Sequence, residues 1–228
     1  IDIYNVYLVR ILNMRILLIL LIISVLPSML SAKNTADTTG PISLFYNGAE
    51  YVKQFNTANG DPFFPVNKHI GSIKYHQNWY HNVEVHYDCE DDLILVRDMR
   101  GLLKLRLINE MLEEFFIDDH HFIKKSLDTP NGEFYELLFD GKRTLLVRWK
   151  KRLETDVKST NTYLLKNSII LIEKNKPLNI TSQQDIISLA KDHSRELKKT
   201  LKENKVSFRK NPIRAAKILV QEMETRGW

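Results

Sequence analysis

Side chains able to bind a metal or attack a substrate are sparse in this 228-residue chain, which has seven histidines and one cysteine. His76, His81 and His86 recur at intervals of five. On a strand an odd interval sends neighbours to opposite faces, so these three do not form a local metal triad. His86 shares the polar side of an alternating segment with Asn82 and Glu84, which reads as solvated sheet surface. With Cys89 it supplies two zinc ligands, and zinc needs two more or an open site with a third. Cys89 as a nucleophile needs a neighbouring histidine and a lowered pKa, but the spacing places His86 on the opposite strand face. Asp88, Glu90, Asp91 and Asp92 make the densest acidic turn. It lacks the spacing of an EF-hand loop and reads as a charged hairpin turn. Asp118-Asp119-His120-His121 is a second polar turn with metal-capable side chains. The sequence holds no Gly-x-Ser-x-Gly elbow, no phosphate-cradling glycine-rich loop and no His-Glu-x-x-His pair. The expectation is therefore no catalytic residue, no cofactor and no metal site. The opposing reading, a small hydrolase or metal enzyme, requires His86, Asp88, Asp118 or His120 to converge in space.

Charge is the other chemical signal. The chain carries 33 basic and 28 acidic residues, a formal net charge of +5. Residues 41–150 hold 13 basic and 17 acidic groups, whereas 151–228 hold 17 basic and 9 acidic. Residues 191–217 alone hold 10 basic against 3 acidic. Such a run is either the solvated outer face of helices or a contact for something anionic: phospholipid headgroups, lipopolysaccharide or an acidic partner. Lys198, Lys199, Lys202 and Arg209 are the candidate contact residues for an anionic surface or an envelope protein partner.

The elements that must position these groups follow from periodicity. Period-two patterns run from residue 43 to 175. Tyr46-Asn47-Gly48-Ala49 places Asn-Gly between apolar flanks, the strongest short hairpin signal. Gly60-Asp61-Pro62-Phe63-Phe64-Pro65 reads as a loop that pins two aromatic rings to the core. Strands are expected around 80–87, 93–96, 103–107, 115–117, 122–123, 134–139, 145–149, 162–166 and 169–173. The turn between the last two falls at Asn167-Ser168, and that between 134–139 and 145–149 at Asp140-Gly141, with Gly141 at positive φ. From Thr181 the period becomes 3.6. Ile186, Ala190, His193, Leu197 and Leu201 mark one helical face, and Ser182 with Asp185 resembles a capping box. Asn211-Pro212 opens a second helix whose buried side is Ala216, Leu219, Val220 and Met223. The fold class is α+β: an antiparallel meander of roughly eight to ten strands, curling toward a barrel or half-barrel, followed by two helices at 181–226.

The first 32 residues are excluded from the fold. Arg15, the apolar run 16–26 and the small residues Ser31-Ala32 compose a secretory signal peptide. The run falls short of the ~20 residues of a membrane span. A longer anchor over 4–26 would bury Asn5, Arg10, Asn13 and Arg15 at a cost. Cleavage is expected after Ala32, leaving a flexible lead-in at 33–42. Export removes nucleic acid as a partner and places the protein in the periplasm, at the outer membrane or outside the cell.

Tyr46-Asn47-Gly48-x-Glu50-Tyr51-Val52, Gly60-x-Pro62-Phe63-Phe64, Gly71-x-Ile73-x-Tyr75, Tyr80-x-Asn82-Val83 and Tyr87-Asp88, with the tail at 197–205, resemble uncharacterised, signal-peptide-bearing envelope proteins of Gram-negative bacteria. The resemblance implies export and brings no activity, cofactor or site residue. The reading is an exported, non-enzymatic envelope protein acting as a binding or accessory subunit. Its second form is a carrier or sensor of an apolar ligand held in the curled sheet. A cavity between the strands, against a filled core, separates the two.

Overall fold

A computed structural model describes residues 45–53, 58–155, 157 and 160–228. The leader and lead-in lie outside the described residues.

Twelve strands form one sheet: β1 (Ala49–Glu50), β2 (Ala58–Asn59), β3 (Ile70–Tyr75), β4 (Asn78–Asp88), β5 (Leu93–Arg97), β6 (Lys104–Arg106), β7 (Leu112–Ile117), β8 (His120–Lys125), β9 (Glu133–Asp140), β10 (Arg143–Thr155), β11 (Asn161–Glu173) and β12 (Lys176–Ile180). The spatial order is β1-β6-β5-β4-β3-β7-β8-β9-β10-β11-β12, antiparallel throughout, while β2 pairs with β11 in parallel. The fold class is as the periodicity indicates, with more and longer strands than expected. The sheet curls without closing into a barrel. Lys151 N of β10 donates to Cys89 O just past β4 at 3.2 Å, so the curl brings these two regions together.

Helix α1 (Gln183–Ile187), a 3₁₀ stretch (Ser188–His193), α2 (Ser194–Glu203) and α3 (Pro212–Arg226) follow the meander. The expected start signals act as such. Asp185 Oδ2 accepts from Ser182 N at 2.8 Å, and Asn211 Oδ1 accepts from Arg214 N at 3.2 Å. The first helical stretch is not continuous, because Ala190 leaves helical geometry at φ −129° and ψ 61°.

Two apolar clusters stabilise this arrangement. Inside the curl, Phe64, Tyr87, Phe115, Phe122 and Phe134 pack as edge-on, tilted and stacked rings with centroids 4.8–6.4 Å apart. Such pairs add roughly 0.5–1.5 kcal/mol each beyond their buried area. All five side chains are buried. Under the helices, Leu145, Val147, Ile169 and Leu171 meet Ile186, Leu197, Ala216, Leu219 and Met223. The apolar stripes of the helices dock on the sheet, as their spacing indicates. Trp149 packs against both clusters.

Several local expectations are corrected. Asn47-Gly48 is not a hairpin turn: β1 joins β6 instead, and a Cβ on Gly48 would run into the Arg106 carbonyl. Glycine is required there by close backbone approach. Asn167-Ser168 is not a turn either. Both lie in mid-β11, opposite Trp149 and Arg148. Gly141 is not among the positive-φ residues, and its missing Cβ makes room for Phe139 and Glu224. The loop at 60–65 does pin aromatic rings, with Phe64 in the core and Phe63 half-buried.

Candidate functional site

The acidic turn holds a group of carboxylates close enough to ligate a cation. β4 extends through Asp88, which is fully buried, so this residue belongs to the strand rather than to a solvated turn. Carboxylate oxygens of Asp88, Glu90 and Asp91 lie within 4.8 Å of one another. Lys53, from the segment after β1, places its Nζ among them, 2.9 Å from Asp88, 2.7 Å from Glu90 and 2.6 Å from Asp91. Burial lowers the ammonium pKa, but the bonds to Asp91, Glu90 and Asp88 outweigh it and hold Lys53 charged. Tyr51 donates to Asp88 Oδ2 at 2.7 Å, and the N–H groups of Glu90 and Asp91 donate to Oδ1. The trio thus carries its own cation. Its geometry could take a hard divalent ion only if Lys53 left.

Asp92 is engaged elsewhere. Arg148 of β10 donates to Asp92 Oδ1 at 2.7 Å, to Tyr87 Oη at 2.8 Å, to Phe134 O at 3.0 Å and to Glu133 Oε1 at 2.9 Å. The Tyr87 hydroxyl donates to the same Asp92 oxygen at 2.6 Å. This network bolts the acidic turn to β9 and β10. Cys89 is buried beside it, and burial pushes the thiol well above its ordinary range. It is a structural thiol rather than a nucleophile.

Of the histidines on β3, β4 and their turn, only His86 stacks on another, His69. His76 lies in the β3–β4 turn at φ 52° and is exposed. His81 Nδ1 lies 2.9 Å from Ser72 Oγ. His86 is buried, not solvated, with Nε2 2.7 Å from Glu84 Oε1. Its ring stacks on His69 at 4.2 Å, and the Nδ1 atoms of both rings are buried with no hydrogen-bond partner. Burial, with the charges of Lys104 and His69, holds His86 below its ordinary pKa against the pull of Glu84. Asn82 at φ 55° marks the irregularity that shifts the β3–β4 register and breaks the expected alternation.

At the second polar turn, His120 Nδ1 lies 2.6 Å from Glu136 Oε1, and Trp149 donates to Glu136 Oε2 at 2.7 Å. Glu136 raises the pKa of His120. His121 pairs with Glu114 at 2.8 Å and stacks on Phe116. Asp118 is an exposed turn residue at φ 51°. His86, Asp88, Asp118 and His120 therefore have separate surroundings, each explained by its own partners or turn.

The basic helices differ. Lys198, Lys199 and Lys202 lie on α2 and Arg209 in the α2–α3 connection, all exposed. Lys199 pairs with Glu203 at 3.5 Å. Among the described residues, Lys198, Lys202, Lys205, Arg209, Lys210, Arg214 and Lys217 have no ion-pair partner. Lys202, Lys205, Lys210 and Arg214 line a shallow depression of about 330 Å³ where α2 ends and α3 begins. Lys205, Lys210, Arg214 and Lys217 extend the four residues singled out from sequence. They lie in the same 191–217 charge run, but which of its cations share a face depends on how α2 and α3 dock.

Comparison with protein-family models, curated proteins and solved structures finds no match to this chain.

Proposed function

We propose that this chain is an exported, non-enzymatic binding or accessory protein of the cell envelope, held to an anionic membrane surface by its C-terminal helices. The observation that carries this reading is that most cations of the helical segment are exposed with no ion-pair partner among the described residues, whereas those at the acidic turn are paired. Lys53 and Arg148 in the β-rich part are each satisfied by two or more carboxylates. Among the described residues, Lys198, Lys202, Lys205, Arg209, Lys210, Arg214 and Lys217, on α2, α3 and their connection, are exposed and have no ion-pair partner. Clustered exposed cations raise the local potential and attract an anionic surface, at about 1 kcal/mol per Lys or Arg close to the headgroups. The contact proposed is peripheral, made by exposed side chains of α2, α3 and their connection; among the described residues no helix is long and apolar enough to cross a membrane.

Two observations support binding over catalysis or carriage. Two of the groups that could do chemistry are held in ion pairs, Asp88 with Lys53 and His120 with Glu136. Buried aromatic rings pack on one another inside the curl of the sheet, which favours an accessory role over the carrier of an apolar ligand. The test is flotation of the protein, freed of its leader, with phosphatidylcholine vesicles containing or lacking phosphatidylglycerol. Binding confined to the anionic vesicles is expected. Equal binding to both, or to neither, overturns the reading.

A further inference from the structure

β11 pairs with β10 along all thirteen of its residues, without a register shift. Its other edge is only partly taken. β12 covers 169–173, and β2 covers Asn161 and Thr162. Among the described residues no strand pairs with 163–168 on that side. After β2 the chain turns away at Gly60, at φ 81°, beside Tyr163. At the other end it leaves the row after Ile180 to enter α1. The result is a notch of six residues, about 20 Å long, between two strands of the same row.

A bare edge presents N–H and C=O groups ready to pair with another strand. The outer edge of β12 carries Lys176 and Pro177, residue types that blunt such pairing. Residues 163–168 contain no proline, their one lysine, Lys166, is paired with Glu154 on β10 at 2.7 Å, and Leu164, Lys166, Asn167 and Ser168 are exposed. The notch is also selective by shape. The β11 of a second copy is thirteen residues long and would collide with β2 or β12 after six. A single extended segment that leaves the row at both ends fits.

Side-chain chemistry narrows the occupant further. At the β12 end of the notch a depression of about 450 Å³ opens, with Ile169, Ile180 and Phe208 as apolar walls and Asn167 and Asn179 as polar ones. A strand residue opposite Asn167 projects to the same sheet face as Asn167, toward Phe208. Arg152 lies opposite Leu164 on β10, exposed and one strand away from the notch across β11, and Lys210 follows shortly after Phe208. Neither has an ion-pair partner among the described residues.

We propose that the open edge at 163–168 binds an extended peptide from a protein partner. The peptide adds as a strand between β2 and β12, sets an apolar side chain beside Phe208 and places acidic residues near Arg152 and Lys210. This inference does not depend on the membrane contact, with which it shares only Lys210.

The experiment selects binders from a phage-displayed library of random heptapeptides on the full chain, then measures the selected synthetic peptides by fluorescence anisotropy and amide hydrogen exchange. Peptides with an apolar residue and acidic flanks are expected. They should slow exchange of alternate amides within 163–168, and Arg152→Glu should weaken them about tenfold with the unfolding midpoint unchanged. Phe208→Ala should weaken them as well, and Lys198, Lys199, Lys202 and Arg209 changed together to Gln should not. Failure to select any peptide, or selected peptides that leave exchange at 163–168 and sensitivity to Arg152 unaltered, overturns the proposal.

Discussion

Lys53 Nζ lies 2.9 Å from the carboxylate of Asp88, which has no solvent exposure, across 35 residues of sequence. This one pair ties the segment after β1 to the end of β4 and fills the centre of the acidic trio. Removing one partner of such a pair leaves a buried charge uncompensated, which costs about 3–5 kcal/mol when burial is complete and less where one partner is partly exposed, as Lys53 is. Lys53→Ala should therefore lower the unfolding midpoint clearly. It should also make stability respond to calcium, since three carboxylates then lack a cation. Thermal scans with and without millimolar calcium check this: the wild type should not shift, and the variant should.

Arg148 offers a second test of buried pairing. Arg148→Met keeps the apolar stem but leaves Asp92, Tyr87 Oη and Phe134 O short of a donor. A loss of about 3 kcal/mol or more is expected in urea denaturation. A loss below about 1 kcal/mol would mean that this network does not bind the acidic turn to β10.

Glycine substitutions should rank by what a Cβ meets. At Gly71 and Gly48 it meets backbone, the carbonyls of Phe116 and Arg106. At Gly141 it meets the ends of the Phe139 and Glu224 side chains, which can move. Gly71→Ala should cost about 2 kcal/mol or more and Gly141→Ala about 1 kcal/mol or less. Equilibrium unfolding of the three alanine variants gives the order directly.

Two histidines should affect stability with opposite sign. His86 has a lowered pKa, so the unfolded chain takes up its proton first. Its contribution is present above about pH 6.5 and is lost as pH falls through the lowered value. His120 has a raised pKa from Glu136. Its contribution is present below about pH 6.5 and is lost as pH rises through the raised value. Unfolding midpoints across pH 5–8, roughly the range of histidine titration, should lose the acid-side slope in His86→Gln and the neutral-side slope in His120→Gln.

Much of the fold was legible because it rests on local pattern. The hairpins β4–β5, β7–β8 and β9–β10 follow from alternation broken by polar turns, and α3 from Asn211-Pro212. What escaped depends on partners distant in sequence. Asn167-Ser168 looks like a turn until Arg148 and Trp149 are seen opposite it. Gly48 looks like a hairpin residue until the Arg106 carbonyl stands over it. The exposed cations of α2 could be read from composition, whereas the neutralisation of Asp88 by Lys53 and the burial of His86 under His69 could not. Spacing along one strand says nothing of what a second strand or loop lays across it.

The most direct test of the account is the salt dependence of binding to phosphatidylglycerol vesicles. Exposed charges are screened over about 10 Å at 0.1 M salt, so a contact made by Lys198, Lys202, Arg209 and their neighbours should be strong at low ionic strength and fall steeply as salt rises. Changing Lys198, Lys199, Lys202 and Arg209 together to Gln should reduce low-salt affinity at least about tenfold, with an unchanged unfolding midpoint. Binding indifferent both to salt and to these four substitutions would contradict the account.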